Sequence, residues 1–173
     1  MMNFLTRLKD NLLVWAVRNQ KIPDYVKIPM KNYTFDEWFD LLDVKHFTAE
    51  EFTEYFQVHR RGVSNSTPPR EMWGNIVATL KIVDALRTHY GRPVVILSSY
   101  RSPEYNAAID GAAARSFHMQ FRALDIAVAG KSPRQVFDTL KSWRNEGRFF
   151  GGLGLYSSFV HIDTRGTNAT WGV

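Results

Sequence analysis

Apolar residues at helical spacing predict the longest helix of the chain, which follows the loop at 62–69. Thr67-Pro68 marks its start, because proline is favoured at the first helical position. Gly91 is expected to end it. The predicted buried stripe consists of Met72, Ile76, Leu80, Val83, Leu86 and Tyr90.

Capping residues predict three shorter helices. Thr48 and Glu51 have the spacing of a capping box, with Thr48 as the N-cap. Ser102-Pro103 and Ser132-Pro133 each place a capping side chain before a proline at the first helical position. The last of these helices would turn four apolar residues inward: Val136, Phe137, Leu140 and Trp143.

Short apolar runs predict the strands. Residues 94–99 indicate a buried strand, Ala123–Val128 a second one, and residues 154–163 a hairpin. Helices dominate the first part of the chain and strands mix in later. This order favours an α+β domain with helices packed on a small, mostly antiparallel sheet.

The first 46 residues are expected to be an extension packed on a domain formed by residues 47–173. Four apolar residues at helical spacing predict a helix that either docks on the domain or lies on a membrane surface: Leu5, Leu8, Leu12 and Trp15. Its apolar run is too short and too closely flanked by charge for a signal peptide. Residues 20–46 are rich in proline and aromatic residues.

The amino-acid composition limits the class of protein, the possible metal ligands and the possible partners. The 173 residues are 45% apolar, as in a globular protein, and no apolar run has the roughly 20 residues of a membrane-spanning helix. With no cysteine, any metal must be held by histidine and carboxylate. The formal charge of +5 is compatible with nucleic acid or a bacterial wall polymer, but the basic residues form no run.

Strand alternation places candidate metal ligands on one face of the sheet. Asp125 lies between two alanines on the face opposite the apolar residues of its strand. His161 and Asp163 share a face about 6.5 Å apart. His118 lies seven residues before Asp125. Together, Asp125, His161 and His118 offer two histidines and a carboxylate, a set that leaves one zinc position open for water. A hydrogen-bonded His161–Asp163 pair, or an ion pair of Asp125 with a nearby arginine, remains the alternative.

Three motifs, in this order, resemble a family of bacterial wall enzymes. The segments are Ser98–Asn106, Ser116–His118 with Ala123–Asp125, and Gly152–Tyr156 running into Phe159–Asp163. They resemble the zinc D-alanyl-D-alanine carboxypeptidases, the L-alanyl-D-glutamate endopeptidases and the vancomycin-resistance D,D-dipeptidases, which share the hedgehog fold. The resemblance covers roughly residues 47–171.

The resemblance implies roles for individual residues. His118, Asp125 and His161 look like the three Zn²⁺ ligands. Arg101 takes the place of the arginine that stabilises the oxyanion, and Asp163 is similar to an acidic partner that orients or deprotonates the attacking water. The substrate-contacting positions correspond to Ser116 and Tyr156. Where the family often has glycine this chain has Phe121, which we expect to line the substrate cleft.

The function implied is zinc-dependent hydrolysis of peptide bonds in peptidoglycan stem peptides, as in a D-alanyl-D-alanine carboxypeptidase. The main alternative is an inactive wall-binding or phage structural module with the same fold. A nucleic-acid binder is a further alternative, disfavoured because no basic stripe alternates with exposed aromatic residues. The sequence leaves open the bond that is cleaved, the compartment and the oligomeric state.

Overall fold

Helices from both halves of the chain pack on a sheet from the second half in the computed structural model, which describes residues 33–172. The described α-helices are α1 (Phe35–Asp40), α2 (Glu50–Thr53), α3 (Val77–Tyr90), α4 (Pro103–Ala107) and α5 (Pro133–Asn145). Short 3₁₀ segments lie at Glu54–Phe56, Arg70–Ile76 and Phe117–Gln120. The described strands are β1 (His59–Arg60), β2 (Val63–Ser64), β3 (Val94–Ser98), β4 (Ala123–Val128), β5 (Gly152–Leu155), β6 (Val160–Asp163) and β7 (Ala169–Trp171).

The main sheet has five strands in the order β3-β4-β6-β5-β7. Every neighbouring pair in it is antiparallel except β5 and β7, which run parallel. A separate antiparallel pair is formed by β1 and β2. The predicted α+β class with a small, mostly antiparallel sheet is therefore confirmed.

Capping chemistry explains most helix boundaries. Ser132 and Gln135 complete a capping box at the start of α5, and Ser102 caps α4. Gly91, at φ +58°, ends α3 in the left-handed conformation, which glycine adopts without steric cost. The box predicted at Thr48 is only half formed: Glu51 accepts from the Thr48 backbone N–H, but Thr48 makes no return cap, and α2 begins at Glu50.

Three other features differ from the sequence prediction. The segment after Thr67-Pro68 begins as the 3₁₀ segment, and only α3 is α-helical. Strand β3 is not buried on both faces as predicted: Val94 and Ile96 are buried, whereas Val95 on the opposite face is 48% exposed. The strands β1, β2 and β7 are only two or three residues long, too short to show an alternating pattern.

The core joins α1 to the domain that follows it. Thr34 and Glu37 form a capping box that starts α1, whose Phe35, Trp38 and Phe39 are buried. Their rings contact those of Phe52, Phe56, Trp73 and Phe121. Aromatic residues on both sides of the predicted boundary at residue 46 thus share one core, and that boundary stays a prediction.

The helix predicted near the N-terminus lies outside the described residues. In residues 33–172, no helix has the length and apolar character needed to cross a bilayer.

Candidate metal centre

One row of residues, running across the strands, carries the candidate site. Ser98 pairs with Asp125 between β3 and β4, Asp125 with His161 between β4 and β6, and His161 with Gly154 between β6 and β5. Gly154 in turn pairs with Trp171 of β7. Directly opposed residues have side chains on the same face. The sheet therefore places Asp125 beside His161 although 36 residues separate them along the chain.

A 3₁₀ turn supplies the remaining histidine. Ser116 caps the turn by accepting the backbone N–H of His118 at 3.3 Å. Phe121 ends it at φ +52°, in the left-handed region that favours glycine. The expectation that Phe121 lines the cleft is wrong: its ring is fully buried against Phe52, Phe56 and Tyr100.

Three ligand atoms meet in this buried place. His118 Nε2 lies 3.2 Å from Asp125 Oδ1 and 3.2 Å from His161 Nδ1, and His161 Nδ1 lies 2.9 Å from Asp125 Oδ1. Donor atoms 2.0–2.1 Å from a tetrahedral zinc ion would be about 3.3 Å apart. The three atoms therefore fit three corners of such a site, and the donor set of two imidazoles and a carboxylate suits zinc.

Each imidazole is held by a contact at the ring nitrogen that does not face the cluster. His118 Nδ1 lies 2.6 Å from the carbonyl oxygen of Ser99, which can only accept, so Nδ1 carries the proton and Nε2 faces the cluster. His161 Nε2 lies 3.0 Å from Asp163 Oδ2 and donates to that carboxylate, leaving Nδ1 toward the cluster. Such contacts fix the tautomer and the ring orientation of metal-binding histidines.

The cluster is electrostatically coupled. Burial lowers the pKa of His118, which favours the neutral ring that a metal requires. Burial lowers the pKa of His161 too, but hydrogen bonds to Asp125 and Asp163 outweigh it and the net shift is upward. Burial raises the pKa of Asp125, and the two imidazoles more than reverse this, so the net shift is downward.

Arg101 completes the surroundings of Asp125. Its Nη2 donates to Asp125 Oδ2 at 2.5 Å and its Nε donates to Ser98 Oγ at 2.9 Å. Asp125 thus presents Oδ1 to the imidazoles and Oδ2 to the guanidinium. The Arg101 side chain is 15% exposed, so a positive charge that is not fully buried lies directly beside the cluster.

Asp163 lies behind His161. Its carboxylate is fully buried and accepts from the Gly152 backbone N–H at 3.0 Å and from the Arg165 side chain. Burial raises the pKa of Asp163, but hydrogen bonds from Arg165 and His161 outweigh it and the net shift is downward. Asp163 faces the ring nitrogen of His161 that points away from Asp125.

An aromatic wall flanks the cluster, formed by Trp171, Tyr156 and Phe159. The Trp171 ring lies 5.1 Å from that of His161, and its Nε1 donates to Tyr156 Oη at 3.0 Å. Tyr156, 43% exposed, stacks on Phe159 at 4.3 Å. Sequence reasoning missed Trp171. The signal that could have indicated it is Gly154, because a glycine within a strand often marks the close approach of another group.

Part of the chain is similar to a known protein. The chain is 34% identical over 84 residues to the probable peptidoglycan L,D-endopeptidase MepK of Haemophilus influenzae. The match covers 45% of this chain and 42% of that protein, so the chain spans less than half of the relative's length. No solved structure matches the chain.

A family model described as Peptidase M15 matches residues 45–163. That range is more than half of the chain and includes His118, Asp125 and His161. The chain belongs to the peptidase M15 family.

Proposed function

We propose that this chain is a zinc-dependent peptidase that hydrolyses peptide bonds in the stem peptides of bacterial peptidoglycan. The observation that carries the proposal is the set of three donor atoms, 2.9–3.2 Å apart, from His118, Asp125 and His161. The printed name of the Haemophilus relative supports the choice of substrate.

His118, Asp125 and His161 would hold the metal, with His118 offering Nε2 and His161 offering Nδ1. Zinc with three protein ligands keeps one position open, where it activates water at neutral pH and polarises a carbonyl group. The residues around the ligands exclude bulk water, since all three ligands are less than 9% exposed.

Arg101 is proposed to stabilise the negative charge that develops on the scissile carbonyl oxygen. Its guanidinium is held in place by Asp125 and Ser98, so it needs little reorganisation during the reaction. A preorganised donor of this kind contributes about 3–4 kcal/mol to transition-state stabilisation.

Asp163 is proposed to hold the ring of His161 rather than to take a proton from water. Both of its oxygens already accept hydrogen bonds, and it is fully buried. Its proximity to the far nitrogen of His161 supports a positioning role.

Ser116 and Tyr156 are proposed to contact the substrate. Ser116 Oγ accepts from His118 and keeps its own proton for a substrate oxygen. Tyr156 presents an exposed ring, held by Trp171 and Phe159, on which the stem peptide can lie.

The experiment is digestion of purified sacculi by the zinc-loaded protein, with the products identified by mass spectrometry. Released D-alanine would indicate a carboxypeptidase, the specificity that the sequence motifs suggest. Cleavage within stems or cross-links would indicate an endopeptidase.

Two variants control the digestion. His118→Ala is expected to abolish it, and Asp138→Asn, which alters an exposed carboxylate on α5, is expected to leave it unchanged. Binding to sacculi without products from the zinc-loaded protein would contradict the proposal and favour the inactive wall-binding module.

A further inference from the structure

Arg165 makes three hydrogen bonds to a single buried carboxylate. Its backbone N–H and its Nε donate to Asp163 Oδ1 at 3.1 and 2.8 Å, and its Nη2 donates to Asp163 Oδ2 at 2.6 Å. This is the two-pronged geometry in which a guanidinium fixes a carboxylate in orientation as well as position. Asp163 Oδ2 is also the atom that faces His161 Nε2.

The same guanidinium packs against two aromatic rings. Its central carbon lies 4.3 Å from the centre of the Phe117 ring and 5.3 Å from that of Trp171. Phe117 directly precedes His118 in the 3₁₀ turn, and Trp171 packs against His161. Arg165 therefore contacts a neighbour of each histidine.

Gly152 leaves the space in which this arrangement fits. A Cβ atom at Gly152 would lie 2.4 Å from Asp163 Oδ2 and 2.7 Å from Arg165 Nη2, distances that real side chains do not tolerate. The lack of a side chain at Gly152 thus makes room for the ion pair between Asp163, on β6, and Arg165, in the loop that follows.

We propose that Arg165 is a positioning residue of the metal centre, acting on His161 through Asp163 and on His118 through Phe117. This inference rests on the proposed function. Without the guanidinium, the Asp163 carboxylate loses the two hydrogen bonds from Nε and Nη2 and keeps the one from the backbone N–H. It can then rotate more freely, so the His161 ring is held less firmly. The 3₁₀ turn loses a packing contact at the same time.

The test compares metal binding by the full chain and by Arg165→Gln. Zinc affinity is measured by competition with a chelating dye, and the ligand geometry by the visible spectrum of the Co²⁺-substituted protein. We expect Arg165→Gln to bind zinc about tenfold more weakly, in the range found for groups that hold metal ligands. We also expect its Co²⁺ bands to shift or broaden.

Two further variants make the result specific. Arg165→Lys keeps the charge but lacks the planar fork, so we expect an intermediate loss of affinity. If Arg165→Gln does not fold, the comparison of Arg165→Lys with the unaltered chain serves as the test. Arg134→Gln, which alters an exposed arginine paired with Asp138, is expected to match the wild type.

The outcomes separate this inference from the function on which it rests. If the unaltered chain binds no zinc, the proposed function fails and the inference falls with it. If the unaltered chain binds zinc and the Arg165 variants keep its affinity and its Co²⁺ spectrum, the role of Arg165 is overturned while the proposed function stands.

Discussion

The two nitrogens of His161 face two different carboxylates, and this division separates the roles of those carboxylates. Nδ1 lies 2.9 Å from Asp125 Oδ1 within the cluster, and Nε2 lies 3.0 Å from Asp163 Oδ2 behind the ring. Strand alternation predicted that His161 and Asp163 share a face. It could not show which nitrogen each carboxylate meets, because that depends on the rotation of the imidazole ring.

Asp163→Asn distinguishes a positioning residue from a general base. The amide keeps the shape of the side chain but weakens the hydrogen bond from His161, so zinc affinity should fall about 10–100-fold. At saturating zinc, turnover should stay within a few-fold of the unaltered chain. Chelator competition and steady-state kinetics with a stem peptide measure the two quantities.

A general base at Asp163 would give the opposite pattern. Zinc affinity would be unchanged, and kcat would fall by about 10²–10⁴ even when zinc is saturating. Asp138→Asn, on the exposed side of α5, controls for the loss of one negative charge.

At the scale of elements, the site depends on a row of residues that runs across the sheet. The alternation of β4 and β6 indicated that Asp125 and His161 face away from the core. The pairing of Gly154 with Trp171 could not be read from the sequence, because β7 has three residues and joins the sheet beside β5 through long-range contacts. The position of the Phe121 ring could not be read from the sequence either, because it also depends on long-range packing. The backbone at Phe121 has the positive φ that favours glycine, yet its ring is buried in the core instead of lining the cleft.

Gly154→Ala tests the fit of Trp171 in this row. A Cβ atom there would lie 2.4 Å from Trp171 Nε1, so the indole must move. Overpacking of this kind costs about 1–3 kcal/mol in the free energy of unfolding. Urea denaturation followed by tryptophan fluorescence measures it.

A double-mutant cycle identifies the cause of that loss. In a chain that already carries Trp171→Ala, the same glycine substitution should cost much less, giving a coupling of about 0.5–3 kcal/mol. Equal costs with and without the indole would show that Gly154 does not serve to accommodate Trp171.

At the scale of the whole molecule, one aromatic core holds α1 against the elements that carry the site. The aromatic residues of the segment 20–46 predicted that it packs on the domain, but not how deeply its side chains are buried. A sequence does not show which surface of the domain these residues contact. Trp38 proves to be fully buried, and its ring lies 5.6 Å from that of Trp73.

Trp38→Ala should destabilise the protein strongly, because it leaves a large cavity in this core. The expected loss is about 3–5 kcal/mol in the free energy of unfolding. That is a large part of the 5–15 kcal/mol typical of a whole domain. Thermal or urea denaturation measures the change.

Leu41, at the end of the same helix, is the matched control. It is 47% exposed, so Leu41→Ala should change stability by no more than about 0.5 kcal/mol. Similar small effects of both substitutions would contradict the docking of α1 in the core.

If His118, Asp125 and His161 hold one metal ion together, metal analysis of the purified protein after zinc loading and dialysis will detect it. We expect about one zinc per chain, lost when any one of the three residues is replaced by alanine and retained in Asp138→Asn. Zinc bound at the same stoichiometry by all three alanine variants, or no zinc bound by the unaltered chain, would contradict it.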